Sequence, residues 1–351
     1  MSFLVAALLS LPALSAQSEP TQRGGNALQL VEATLGELNF ALRTGQVTSE
    51  QLVEAYLTRI ATYDEGAPEL NGIMAVNPAA RAEARARDAE RAAGRAHGPL
   101  FGIPVLVKDN IDVAGLPTTA GSLALAASFP PDDAFLVRRL RAACAIVLGK
   151  TTLTEFANFL TDRMPSGYGS LAGYGYNPYD PRPTPSGRPI LTPGGSSSGT
   201  GISIAASFAA VGVGTETSGS ILSPSSSNAL VGIKPTLGLI SRDGILPITA
   251  DQDTPGPMAR SVRDAAILLG VLAGFDPADL ATRPCSERGR CPGDYTQFLD
   301  KEALVGARIG VPHVPYWNAI NSAERTRMRE AIAVLRAEGA TVIDPFEIPD
   351  Q

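Results

Sequence analysis

Lys108, Ser196 and Ser220 are the residues whose types and settings could do chemistry together; they stand in IPVLVKDNIDV, TPGGSSSGTG and GTETSGSILSP. A serine hydroxyl is a weak nucleophile until a neighbouring base takes its proton, and Ser–Lys pairs are one solution. The chain holds two histidines, His97 and His313, and neither lies in a glycine-rich or polar cluster that could present an imidazole to a serine. Lysine is therefore the candidate base. It accepts a proton only when neutral, and its ordinary pKa is about 10.4, so Lys108 has to be buried away from carboxylates. Residues 103–107 read as a buried apolar strand that delivers the amine to a sheet edge, with Asp109 and Asp112 pointing elsewhere. Because a hydroxyl both donates and accepts, Ser196 can relay the proton between Lys108 and Ser220.

Taken singly, each segment also has an ordinary reading: a surface lysine at a strand end, a flexible Gly/Ser linker, an anion-binding turn. Taken together and in order, with VGIKPTLGLISRDGILPI and QDTPGPMARSVRDA downstream, they resemble the amidase signature family, and within it the peptide amidase branch. The likeness runs from about Ala33 to the end, and the spacing of the two serines matches the family's, selecting Ser196 over Ser197 and Ser198. The resemblance implies a Ser-Ser-Lys triad in which Ser220 is the nucleophile, Ser196 the bridging serine and Lys108 the base. It implies a cis bond before Ser196, and an oxyanion hole from the backbone N–H groups of Thr217, Ser218, Gly219 and Ser220. It implies hydrolysis of a carboxamide through an acyl-enzyme, on a small-molecule or peptide amide, with no cofactor. Family alternatives are an amidotransferase subunit of the glutamyl-tRNA type, a noncatalytic truncated member, or hydrolysis of fatty or aryl amides or esters.

This chain departs from the family pattern at Ser218, where Gly or Asp is usual, and at Ser198, where Gly is common. A Cβ at 218 restricts the backbone and narrows the pocket. Family catalytic domains also generally continue past the point where this sequence stops, so the expectation is an amidase signature domain over residues 27–351, C-terminally incomplete.

Other chemistries find less support. Gly149-Lys150-Thr151 resembles the tail of a P-loop, but the motif needs a glycine where Cys144 stands. No HExxH, CxxC or Cys/His cluster of metal-ligand spacing occurs, so no catalytic metal is expected. With 351 residues, 44% of them hydrophobic, the chain can bury a large core. A net charge of −6 argues against nucleic acid and anionic membrane surfaces as partners. The N-terminus, MSFLVAALLSLPALSAQSEP, reads as a secretory signal peptide over residues 1–16, too short an apolar run for a membrane span, though without a basic start. Cys285 and Cys291 lie in a polar loop that a disulfide would staple in an oxidising compartment, and Cys144 reads as a small buried residue. Export to the periplasm or outside the cell is the resulting expectation.

The elements that must position these residues alternate along the chain. Helices are predicted over 28–42, 50–63 (opened by a Thr48/Gln51 capping box), 78–96, 134–143, 202–210, 262–273 and 323–338. Strands are predicted over 103–107, 145–148, 211–214, 308–311 and 340–343. The charged 78–96 helix reads as a solvated face, and residues 168–193, rich in Gly, Pro and Tyr, as a mobile loop lining the cleft. Alternation of this kind implies an α/β fold; the resemblance makes it the amidase signature fold, an α/β/α sandwich around a mixed sheet.

Overall fold

A computed structural model describes residues 28–161, 164–287 and 290–348; the predicted signal peptide lies outside them. The centre is a mixed sheet whose three parallel strands are β2 (Pro104–Lys108), β3 (Ile146–Thr151) and β6 (Val211–Glu216), every residue of them buried. Strands covered on both faces read as unbroken apolar runs rather than alternating ones, which is why they are legible in sequence. Three antiparallel strands complete the sheet in the order β1-β3-β2-β6-β8-β7: β1 (Ile73–Val76), β7 (Val231–Gly232) and β8 (Thr254–Ala259).

None of those three is predicted from sequence, and β8 shows why. Its TPGPMA contains two prolines and a glycine, a composition that argues against a strand. Yet all six residues pair with β6. Ile233 N donates to the Pro257 carbonyl, so Pro257 and its same-parity neighbour Pro255 direct their hydrogen-bonding edges toward short β7. The missing proline N–H groups therefore cost no bond to β6.

Helices cover the sheet. They are α1 (Leu35–Thr44), α2 (Ser49–Tyr63), α3 (Ala80–Ala92), α4 (Phe135–Ala142), α5 (Ser198–Ala205), α6 (Leu222–Ser227) and α7 (Val262–Leu272); an eighth helix, α8 (Ser322–Ala337), packs against a smaller strand pair. The Thr48/Gln51 capping box opens α2 as predicted. Helix α1 starts seven residues later than expected, because a second capping box, Thr34/Glu37, sets its first turn. The charged helix α3 is only partly a solvated face: Ala80 and Ala84 are buried, and Asp88 accepts from Ser49 N at 2.7 Å and Glu50 N at 3.0 Å, satisfying the start of α2. Cys144 is half-buried rather than buried; it takes a positive φ of 58° immediately after α4, a turn position that faces outward.

Two smaller pairs stand apart from the main sheet. Strands β9 (Arg308–Pro312) and β10 (Thr341–Phe346) run parallel, joined through α8. Strands β4 (Tyr168–Gly169) and β5 (Gly173–Tyr174) form a hairpin at the start of the predicted mobile loop. That loop is tied down: Gly175 N donates to the Gly167 carbonyl, and Asn177 Nδ2 donates to the carbonyls of Thr192 and Ser227. Ser166 and Gly195, which flank this loop in the chain, line the cleft around Ser196, and no residue between 168 and 193 does so.

Candidate active site

Strand β2 ends on Lys108, which is completely buried. Its Nζ lies 2.8 Å from Ser196 Oγ, 2.9 Å from Thr215 Oγ1 and 3.2 Å from the Thr215 carbonyl. Burial pushes the amine down to about 7, against the opposing negative charges of Glu216 and Asp253. The adjacent Asp109 turns away, as the sequence requires: its Oδ1 lies 3.0 Å from Lys150 Nζ, and its Oδ2 accepts from Thr119.

The Lys150–Asp109 pair is fully buried, so neither charge can be removed alone without leaving the other unpaired in a low-dielectric interior. Lys150→Met is expected to lower stability by roughly 3–5 kcal/mol, measured by urea unfolding. The double change Lys150→Met/Asp109→Asn should recover most of the loss.

Ser196 sits on a tight glycine turn that leads into α5, which begins four residues earlier than predicted because the serine run itself forms the start of the helix. The Gly195–Ser196 bond is cis. Gly194 has a φ of 69°, and a Cβ there would lie 2.6 Å from Pro224 Cα. Because strain and a backbone clash coincide, Gly194→Ala is expected to cost about 2–4 kcal/mol in chemical denaturation, with no single-residue shift able to relieve it. Ser197 ties the turn to the second serine: its N–H donates to the Ser220 carbonyl at 3.1 Å and its hydroxyl to the Thr215 carbonyl at 3.1 Å.

Ser220 stands at the far end of a turn that leaves β6 and enters α6. The Glu216 carboxylate organises this turn, accepting from Gly219 N at 2.8 Å, Ile221 N at 2.7 Å and Leu222 N at 2.9 Å. A carboxylate at a helix start satisfies N–H groups that have no partner within the helix. Gly219 has a φ of 90°, a conformation glycine adopts without penalty. One expectation is corrected here. The Gly219 N–H is engaged by Glu216 and is not free for an oxyanion, because the carboxylate needs that donor to close the turn. No hydrogen bond among the described residues takes the N–H of Thr217, Ser218 or Ser220. The Thr217 hydroxyl donates to Asp253, whose other oxygen accepts from Ile248 N at 2.7 Å and Thr249 N at 2.9 Å.

Two clefts meet at Ser220. One, of about 320 Å³, is walled by Ile245, Leu246, Ile248 and Pro255 and includes Asn110, Thr215 and Glu216. The other, of about 310 Å³, contains Ser196, Gly195, Thr217 and exposed Ser218, with Phe159 at its side. The structure thus joins Lys108 to Ser196 directly and places Ser196 and Ser220 in one cleft. Among the described residues no hydrogen bond closes the step from Ser196 Oγ to Ser220 Oγ. His97 and His313 lie elsewhere, bonded to the Arg95 carbonyl and to Asp344. No group of three His, Cys, Asp or Glu suited to a metal occurs among the described residues. Sequence reasoning missed Asn110, Thr215, Glu216 and Asp253 as site residues. All four fall inside the segments that carry the resemblance, but nothing in a linear sequence marks which polar neighbour of a candidate turns inward.

Comparison with known proteins shows the family. The Amidase family model matches residues 51–351. The chain is 47% identical, at a TM-score of 0.84, to the X-ray structure of a peptide amidase from Stenotrophomonas maltophilia, covering 91% of this chain and 63% of that one. It is 40% identical over 319 residues to a Schizosaccharomyces pombe protein named as an amidase, covering 90% of this chain and 52% of the relative. It is 38% identical over 317 residues to a glutamyl-tRNA(Gln) amidotransferase subunit from Chloroflexus aurantiacus, covering 90% and 61%. The chain therefore spans between 52% and 63% of the length of these relatives. A family match over most of the sequence makes this chain a member of the amidase signature family.

Proposed function

We propose that the protein is an amidohydrolase that cleaves carboxamide C–N bonds through Ser220, Ser196 and Lys108. The observation that carries the reading is the fully buried Lys108 amine, 2.8 Å from Ser196 Oγ in the cleft that holds Ser220. Ser220 Oγ attacks the carbonyl carbon while its proton passes through Ser196 to Lys108. The negative charge that develops on the carbonyl oxygen is met by the N–H groups of Thr217, Ser218 and Ser220, whose positions at the turn leave them free. Collapse of the tetrahedral adduct breaks the C–N bond, and the proton returns by the same path to the leaving amine. Water then hydrolyses the ester, with Lys108 again as base.

The higher identity to a peptide amidase, 47% against 38% for the amidotransferase subunit, supports peptide or amino-acid amides as substrates with release of ammonia. The second reading, an amidotransferase subunit, is favoured by the match to that protein over 90% of this chain. Incubation of the purified chain with a fluorophosphonate probe, followed by peptide mapping and an assay of ammonia released from a small peptide amide, tests both. An adduct at Ser220 with ammonia release is expected; an adduct without turnover of peptide amides but with turnover of glutamine would favour the second reading. Export is part of the proposal, supported by the apolar run over residues 3–14 and by the Cys285–Cys291 disulfide. N-terminal sequencing of protein from the native host, beginning near residue 17, is the expected result.

A further inference from the structure

The Lys108 amine has three partners for its three hydrogen-bonding positions. A neutral lysine carries two N–H donors and one lone pair. The Thr215 carbonyl, 3.2 Å away, can only accept, and so takes one N–H. The other N–H and the lone pair are divided between two hydroxyls, Ser196 Oγ at 2.8 Å and Thr215 Oγ1 at 2.9 Å. Only one division makes a base for the relay: the lone pair faces Ser196, and Thr215 accepts from the amine. Thr215 must then send its own hydrogen elsewhere. Among the described residues, the remaining side-chain partner of Thr215 Oγ1 is the Asn110 carboxamide, 3.0 Å away.

Asn110 is 3% exposed, follows Lys108 by two residues, and borders the cleft that contains Ser220. Its Nδ2 donates to Thr215 Oγ1, while its Oδ1 is buried with no partner among the described residues. In that orientation the Thr215 hydroxyl receives a hydrogen from Asn110, and among the described residues its own hydrogen has no acceptor other than the Lys108 lone pair, which it occupies when it donates there. The two ends of a carboxamide are nearly the same shape and opposite in polarity. Turned over, the oxygen accepts from Thr215, Thr215 accepts from Lys108, and the lone pair is released to Ser196. The same turn presents the NH₂ group where the unpartnered oxygen now lies.

We infer that Asn110 is a positioning residue that sets the direction of the Thr215 hydroxyl, and through it whether the Lys108 lone pair faces Ser196. The inference rests on the amidase reading above and adds a residue and a step that it does not contain. Reversal of the carboxamide moves no heavy-atom framework and consumes no reagent. It exchanges one set of hydrogen bonds for another.

A double-mutant cycle tests it, with Asn110→Leu and Thr215→Val, each close in size to the residue it replaces. Asn110→Leu is expected to lower kcat about tenfold, with a smaller effect on KM, because the Thr215 hydroxyl is then free to occupy the lone pair. In the Thr215→Val background the same change should alter kcat by less than about twofold. Equal falls in both backgrounds would mean that Asn110 acts on the substrate or the fold, and would overturn the proposal.

A second readout does not need turnover. NMR titration of the Lys108 Nζ signal in ¹⁵N-lysine-labelled protein should show a lower midpoint in Asn110→Leu, since a hydroxyl donating to the amine favours its neutral form. No such change should appear in the Thr215→Val background, and an unmoved midpoint in both backgrounds overturns the proposal. The charges facing Lys108, those of Glu216 and Asp253, are the same in all four proteins, as is the neighbouring Asp109–Lys150 pair, and they cancel in the cycle. If the chain fails to release ammonia from peptide amides the functional reading falls, while the midpoints still decide the role of Asn110. Should Asn110→Leu not fold, Asn110→Ala takes its place in the cycle.

Discussion

Ser220→Ala is expected to lower amide hydrolysis by at least about 10³-fold and to abolish labelling by a fluorophosphonate, with the thermal midpoint unchanged within error. The size follows from the chemistry. Without the hydroxyl no acyl-enzyme forms, and what remains is the orientation of substrate in the clefts and any charge stabilisation by the turn. The fold should tolerate the change because the backbone contacts of the turn, Glu216 with Gly219, Ile221 and Leu222, and Ser197 N–H with the Ser220 carbonyl, do not use the Ser220 side chain. Steady-state ammonia release, with mass spectrometry of the quenched protein, checks both arms. Wild-type activity in the alanine protein would remove Ser220 from the reaction.

Lys108→Met is the second large effect, and it has two signs. Activity should fall by roughly 10²–10⁴-fold, the contribution of a positioned general base. In the wild type the base works only when neutral. With the amine held at about 7, the rate should climb as pH rises and level off above about 7, and Lys108→Met should lose that limb.

Stability should move the other way. The folded-state value lies below the ordinary lysine value of 10.5, so the unfolded chain binds more protons than the folded one between the two. Folding stability therefore rises with pH from about 7 to about 10.5, and the cost of burying the amine is fully present below about 7. Methionine carries no such cost, so Lys108→Met should be the more stable protein at neutral pH, with the advantage fading toward the alkaline end. Urea unfolding across that range measures it. A variant less stable than wild type at pH 7 would show that the hydrogen bonds to Ser196 and Thr215 outweigh the desolvation of the amine.

The elements that sequence reveals most clearly are those whose burial is uniform along the chain. Strands β2, β3 and β6 are buried throughout and open on apolar runs because helices cover both faces, and α2 announces itself by its capping box. Strand β8 stays hidden because its identity is decided by its neighbour: TPGPMA becomes a strand only beside β6, with its prolines turned toward β7. The helix α1 boundary was equally local in origin, a Thr34/Glu37 box, but lay within an apolar run that pointed seven residues upstream.

By itself the sequence determined which side chains could react. A lysine closing a buried strand and two serines in glycine turns, at the family's spacing and without a histidine suited to the task, leave few alternatives. Tertiary structure decided their state and their company. Whether an amine is neutral depends on how completely it is removed from water and on which carboxylates face it, and Asp109 could be discounted only once Lys150 was found beside it. Whether a backbone N–H is free depends on what else reaches it, and Gly219 was claimed by Glu216 three residues away. Direction is a property of three-dimensional packing. Composition and spacing place a polar group near a site, and only the fold turns it inward, pairs it, or leaves it free to act.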